Sequence, residues 1–503
     1  MNMSDQIKNV IIAGGGTAGW MTAAALSRFL ARETKIILVE SAAIGTVGVG
    51  EATIPPLSDY NALLGINEYD FLRATSGTYK LGIEFIDWGR IGQSYFHPFS
   101  TFGLDMQGIH FHQFWSKQRL AGEPYSLDEY SICAMAARAG KFMRTDRTEM
   151  HSPLAQIRHA YHVDAIKYAA FLREYAEARG VERIDGRIVD VELDSESGDI
   201  AALKLEGDSR IDGDLFIDCT GFRALLIEGA LEAGYEDWSH WLPCDRAVAL
   251  PTSSAGKLIP YTRAAATSAG WQWRIPLQHR VGNGQVYCSD YLSEEEAIGE
   301  LISVVEGEPL ATPNVLRFTT GKRKETWKKN CVAIGLSSGF LEPLESTSIH
   351  LIQEGIAKLI ALFPDKTINS LERDTYNGLM GSNFEYVRDF LILHYHATDR
   401  NDSDFWNYVR TMPIPDGLQH NITQFRYKGR FFGAREDLFQ ISSWVAVMVG
   451  QNILPEGYDP VVDGVPEDQV NEMMADIRNV YREAANRMPP HQAFINKYCA
   501  EKT

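Results

Sequence analysis

Paired cysteine motifs are missing from this sequence. Its six cysteines (Cys133, Cys219, Cys244, Cys288, Cys331 and Cys499) are scattered, with no CxxC. That argues against a disulfide framework and makes a reduced, cytoplasmic setting the default. Long apolar runs are missing too. No stretch approaches the roughly 18 residues of a membrane span. Positive charge is scarce: 48 Lys and Arg stand against 66 Asp and Glu, a net charge of −18. Nucleic acid and anionic membrane are therefore poor partners. A signal-peptide layout is absent, because Met1 to Lys8 is polar and the apolar run after it leads straight into a glycine turn. There is no internal repeat, low-complexity tract or obvious flexible linker. What remains is ordinary globular material: 45% apolar and 23% charged residues over 503 positions, enough for a large core and two or three subdomains.

The start of the chain reads as strand, turn and helix. Val10 to Ala13 is an apolar run suited to a buried parallel strand. Gly14-Gly15-Gly16-Thr17-Ala18-Gly19 follows, then a helix-compatible stretch from Met21 to Leu30 and a β-branched run from Lys35 to Val39 ending at Glu40. In such a βαβ unit Gly14 permits the tight turn, Gly16 lets backbone approach a pyrophosphate, and Gly19 allows close helix–strand packing. The helix start offers N–H donors to phosphate. Glu40 is placed to accept from a ribose hydroxyl. Val181 to Leu205 alternates across a Ser195-Glu196-Ser197-Gly198-Asp199 turn and predicts a hairpin. Asp214 to Gly221 predicts a buried strand ending in a small-residue turn, a pattern that resembles flavoprotein hydroxylases. The expected fold is thus α/β, Rossmann-like and discontinuous, with inserted substrate-binding elements. From about Lys366 the chain is aromatic-rich and mainly helical. Val470, Met473, Met474, Ile477, Val480, Tyr481 and Ala484 mark one amphipathic helix.

An ADP-binding turn suits FAD or NAD. The sequence holds one complete GxGxxG, since Gly282-Asn283-Gly284 lacks the third glycine and the strand context. The glycine-dense segment from Gly45 to Pro56 suits backbone lying against a flat ring system. FAD is the expected cofactor, supplied in reduced form by a separate protein.

Several motifs together carry a resemblance: the GGGTAGW turn, GVGEATIP from Gly48, TYKLGIEFIDW from Thr78, WQWRIP from Trp271, and GLSSGFLEPLESTSIH from Gly335. The chain resembles the flavin-dependent halogenases of the tryptophan halogenase family over most of its length, less clearly in its last third. The resemblance implies FAD contacts from Gly14, Gly16, Thr17, Ala18, Gly19, Glu40, Val49, Gly50, Leu336 and Ile349. It implies that chloride or bromide sits on the backbone of Thr347 and Ser348, at a helix start that Ser346 or Thr347 would cap. The family commonly has glycine where this chain has Ser348. Trp271, Trp273, Ile275 and Pro276 become a wall between flavin and organic substrate. Lys80 becomes the catalytic lysine that receives hypohalous acid made from reduced FAD, O2 and halide. It would act either as a haloamine or by hydrogen-bonding the acid. Glu345 matches the family glutamate that takes the ring proton or orients the halogenating species. A separate flavin reductase and a small aromatic substrate are the implied partners.

His97, Phe99, Phe102 and Trp444 are candidates for sandwiching the arene. Beside Trp444 stand Val445, Ala446 and Val447, which cannot hold an ammonium or carboxylate, so indole or a simple arene is as good a candidate as free tryptophan. Two HxH pairs, His110/His112 and His394/His396, have a spacing known from metal-binding strands, but no further ligand converges and no metal is expected. The expected division is a FAD-binding module over 1–365, with substrate-facing insertions near 91–150 and 226–320, and a helical substrate-side part over 366–503. A homodimer is an open expectation. The leading alternative is a FAD-dependent aromatic monooxygenase (hydroxylase).

Overall fold

The computed structural model describes residues 6–41, 50–146, 148, 152–433 and 438–501. Val49, with the rest of Gly45–Val49, lies outside the described residues. The chain divides into two compact units. One gathers Met1–Ser76, Val163–His240 and Phe318–Val387; the other gathers Gly77–His162, Trp241–Arg317 and Arg388–Thr503.

In the first unit, Asn9–Ala13 is an inner strand whose apolar residues are wholly buried. It pairs in parallel with Lys35–Glu40 on one side and Leu215–Asp218 on the other. A strand covered on both faces needs this unbroken apolar run. Glu182–Asp185 and Cys331–Ala333 extend the sheet in parallel, and Trp327–Lys328 closes one edge antiparallel. The helix Thr17–Phe29 packs against the helices Ala165–Glu177 and Ser348–Ala361. The expected Val181–Leu205 hairpin is shorter than its alternation suggests. Ile188–Leu193 and Ile200–Leu205 do pair antiparallel, but Glu182–Asp185 is drawn into the parallel sheet beside Lys35–Glu40.

The second unit is built on a seven-stranded sheet. Its order is Asn314–Arg317, Arg246–Ser253, Arg280–Tyr287, Gly270–Pro276, Thr262–Ala266, Gly82–Ile86, Ser94–Pro98. Gly282 and Gly284 lie inside a strand here, with a purpose the sequence did not reveal. A Cβ on Gly284 would stand 2.0 Å from the indole of Trp273, so glycine makes room for that ring. Helices follow at Asp404–Thr411, Asp416–Lys428, Ile441–Gly450, Glu467–Arg487 and His491–Tyr498. In Glu467–Arg487 the buried stripe is Val470, Met474, Ile477, Tyr481 and Ala485, whereas Val480 is exposed. All six cysteines are buried, and none forms a disulfide among the described residues. No helix among the described residues is long and apolar enough to cross a membrane.

Burial pushes the imidazoles of His112 and His491 down to about 4. In the unfolded chain they titrate near 6.5. Between those values the unfolded state binds protons that the native state refuses. Each residue therefore adds stability above the upper value that is lost as pH falls toward the lower, at most about 1.4 kcal/mol per pH unit. The expected outcome is a melting temperature that drops between about pH 7 and about pH 5, with a shallower drop in His491→Gln.

Candidate active site

The glycine turn in the first unit is built by close approaches. Gly14 has φ +107°, and a Cβ there would lie 2.3 Å from the carbonyl oxygen of Cys219. A Cβ on Gly19 would lie 1.9 Å from the carbonyl of Gly14, which is the close helix–strand packing expected of it. Gly15, for which local reading suggests no role, has the Glu40 carboxylate against it. Gly16 differs: among the described residues nothing lies near its Cβ position, and no side chain caps the helix Thr17–Phe29 that it begins. Free N–H donors beside open space suit a pyrophosphate.

Glu40 is held by two residues invisible to local reading. Arg183 Nε donates to one carboxylate oxygen at 2.5 Å, and the indole of Trp20 donates to the other at 3.4 Å. Each oxygen keeps lone-pair capacity for a hydroxyl. Gly335, with φ +82°, has its Cβ position 2.7 Å from Ala18, which sets the turn containing Leu336 beside the glycine turn. Gly50 opens a short strand, and burial pushes its neighbour Glu51 up to about 7. The glycine turn and Glu40 fit the ADP half of FAD.

Glu345 closes a single turn, Pro343–Glu345, and is fully buried. Ser346 then adopts φ 59°, a left-handed conformation that non-glycine residues rarely take without functional reason. Thr347 occupies the cap position of the helix Ser348–Ala361, and Ile349 lies buried in its first turn. The expected cap bond is not made by either candidate: the helix has no side-chain cap. Instead the Thr347 hydroxyl is buried and has no hydrogen-bond partner among the described residues. An uncapped helix start beside an orphaned buried hydroxyl is what an anion would satisfy.

In the second unit Lys80 ends the strand Thr78–Lys80, which pairs antiparallel with residues 160–162. All three residues are buried. Lys80 itself has no exposed surface, a rare state for lysine. Its Nζ lies 5.3 Å from the centroid of the Phe99 ring. The Phe99 N–H donates to Leu81 at 3.0 Å, which holds the ring beside the lysine strand. Trp271 and Trp273 share one face of the strand Gly270–Pro276, with ring centroids 6.0 Å apart. Ile275 and Pro276 continue that strand and are buried.

His97 and Trp444 belong to one aromatic cluster, whose centre the sequence reading did not find. Phe390 stacks on Phe439 at 3.9 Å and meets Trp444 edge-on at 5.0 Å, while His97 lies 5.9 Å from Phe390. Phe431 stacks on Trp444 at 4.7 Å. Phe102 is buried. Neither HxH pair lies on a strand. His110 pairs with Asp105 at 2.9 Å, and His112, in the helix Phe111–Leu120, bonds the Gly429 carbonyl at 2.7 Å. His394 bonds the Phe390 carbonyl at 2.8 Å within a helix that also holds His396.

The profile of the tryptophan halogenase family matches residues 9–467. A flavin-dependent halogenase from Xanthomonas campestris superposes with a TM-score of 0.96 at 47% identity, over 99% of each chain. A flavin-dependent halogenase from Brevundimonas sp. BAL3 gives 0.94 at 45% identity, over 98% of this chain and 99% of that one. The 7-chloro-L-tryptophan 6-halogenase of Kutzneria sp. (strain 744) is 38% identical over 82% of this chain and 84% of its own length. These relatives are halogenases and give the hydroxylase alternative no support.

Proposed function

Because the chain belongs to the tryptophan halogenase family, it is a flavin-dependent halogenase, and we propose the residues through which it works. Bound reduced FAD, with O2 and halide, supplies hypohalous acid. Gly14, Gly16, Thr17, Ala18, Gly19 and Glu40 would hold the nucleotide half, and Gly50, Leu336 and Ile349 the rest, together with Val49. The flavin-binding assignment covers the module 1–365 with its insertions, and the helical part 366–503 serves the substrate.

The observation that carries this reading is the buried Lys80 amine beside Phe99. Lys80 presents the halogen, as a haloamine or through a hydrogen bond. The electron-rich ring carbon attacks the halogen, its bond to nitrogen or oxygen breaks, and the ring gives up its proton to Glu345. Trp271, Trp273, Ile275 and Pro276 keep the arene from the flavin. His97, Phe99, Phe102 and Trp444 line the arene side, and positioning there sets which carbon reacts.

Thr347 and Ser348 hold halide through backbone N–H groups, with the Thr347 hydroxyl as a further donor. Thr347→Val deletes a buried hydroxyl that bonds nothing among the described residues, so stability should hold. The halide concentration for half-maximal rate should rise about tenfold, since a lost donor to an anion is worth about 1.4 kcal/mol or more. Halide titration and a melt of the same variant check both halves.

The substrate is an indole without an amino-acid group, in keeping with the buried, wholly apolar Val445, Ala446 and Val447. Incubation with a flavin reductase, FAD, NADH and bromide or chloride, read by mass spectrometry, tests this. Indole should be halogenated more efficiently than tryptophan; preferred turnover of tryptophan would overturn the substrate assignment. A cytoplasmic setting, supported by six buried cysteines with no disulfide among the described residues, and a homodimer are part of the same proposal.

A further inference from the structure

We propose that Thr78 and His162 are positioning residues that fasten the end of the tryptophan strand to the strand carrying Lys80. This rests on the reading of Lys80 as the halogen-bearing residue. The two strands are not sheet neighbours: Gly270–Pro276 pairs with Thr262–Ala266 and Arg280–Tyr287, while Thr78–Lys80 pairs with residues 160–162. A buried chain of hydrogen bonds joins them. Thr78 Oγ1 donates to the Pro276 carbonyl at 2.7 Å, His162 Nδ1 lies 2.9 Å from Thr78 Oγ1, and His162 Nε2 lies 2.9 Å from Thr262 Oγ1.

One direction satisfies every member. A carbonyl only accepts, so the Thr78 proton is spent on Pro276 and Thr78 must accept from His162 Nδ1–H. The neutral ring then offers Nε2 as acceptor to the Thr262 hydroxyl. Burial first, and the Lys80 charge second, hold His162 well below the usual imidazole range, which keeps it in this neutral form. Thr78 and His162 have no exposed surface and Thr262 very little, so the chain of bonds is shielded from bulk solvent.

The next residue is pinned as well. The Tyr79 N–H donates to His491 Nε2 at 3.2 Å, and His491 Nδ1 lies 3.1 Å from the Leu258 carbonyl it donates to. Both residues preceding Lys80 are therefore fixed by buried neutral histidines. Pro276, the last residue of the wall, is held by the Thr78 hydroxyl.

The consequence is a fixed spacing between wall and amine. Loosening it should let hypohalous acid escape capture without stopping its formation. Thr78→Val keeps the shape and removes the hydroxyl; His162→Gln breaks the same chain if that variant is recovered poorly. The assay combines flavin reductase, FAD, NADH, bromide and indole with a 1,3-diketone that traps free hypohalous acid. In Thr78→Val, flavin oxidation should match wild type, bromoindole per flavin oxidised should fall about tenfold, and trapped halogen should rise. Thr78→Ser should restore the wild-type partition. A wild-type partition in both relay-breaking variants overturns the proposal. So does a proportional loss of every activity together with melting temperature, which would make the relay structural only. Lys80→Ala is run beside them: if it still brominates indole, the lysine reading fails; if it is inactive while the relay variants are normal, only this inference fails.

Discussion

Lys80→Ala is expected to abolish haloarene formation, by a thousandfold or about that, while reduced flavin is still consumed by oxygen. Lysine is almost never fully buried without a task or a partner, because desolvating its charge is costly. Here it has no exposed surface and sits over the Phe99 ring. Alanine removes the nitrogen on which capture of the halogen depends, yet leaves the residues assigned to flavin and halide in the sequence. The oxidant is still made, and its halogen is lost to solvent. Product yield and flavin oxidation, followed in one reaction, separate the two. Normal halogenation by the variant would remove Lys80 from the chemistry.

Glu345→Gln is expected to cut turnover about a hundredfold and leave FAD affinity within about twofold. Glutamine has the shape and much of the hydrogen-bonding capacity of glutamate but does not take up a proton. Glu345 is fully buried in a tight turn, followed by the left-handed Ser346 and the uncapped helix start at Thr347. Backbone strain of this kind survives only where surrounding structure enforces it. The change should therefore appear in the chemical step and hardly in flavin titration. An unaltered rate would exclude Glu345 as the proton acceptor.

Local physics made much of this molecule legible in its sequence. The strand, turn and helix around Gly14 to Gly19 announce themselves because period, glycine placement and the acid at Glu40 all fall within one short segment. The GxGxxG and WxWxIP stretches likewise carry their meaning side by side. What stayed hidden depends on contacts distant in sequence. Gly15 is explained only by Glu40 packed against it, and Glu40 only by Arg183. The Gly282-Asn283-Gly284 stretch looked like a failed nucleotide turn, but Gly284 makes space for Trp273 on the neighbouring strand. His162 has no local signal at all; its partners Thr78 and Thr262 lie 84 and 100 residues away. Phe390, Phe431 and Phe439 join Trp444 only through tertiary packing. Thr347 was readable as a helix start but not as an orphaned hydroxyl, because propensity favours the cap that the structure does not make.

The division of labour between an oxidant-making flavin and a walled-off arene is tested most directly by tracing oxygen. The reaction is run with reduced FAD, bromide and indole under dioxygen enriched in the heavy isotope, and again with halide left out. With bromide, bromoindole should form carrying no heavy oxygen; without it, the indole should be recovered unchanged. Heavy oxygen incorporated into the indole ring, in either reaction, would contradict the separation on which the whole reading stands.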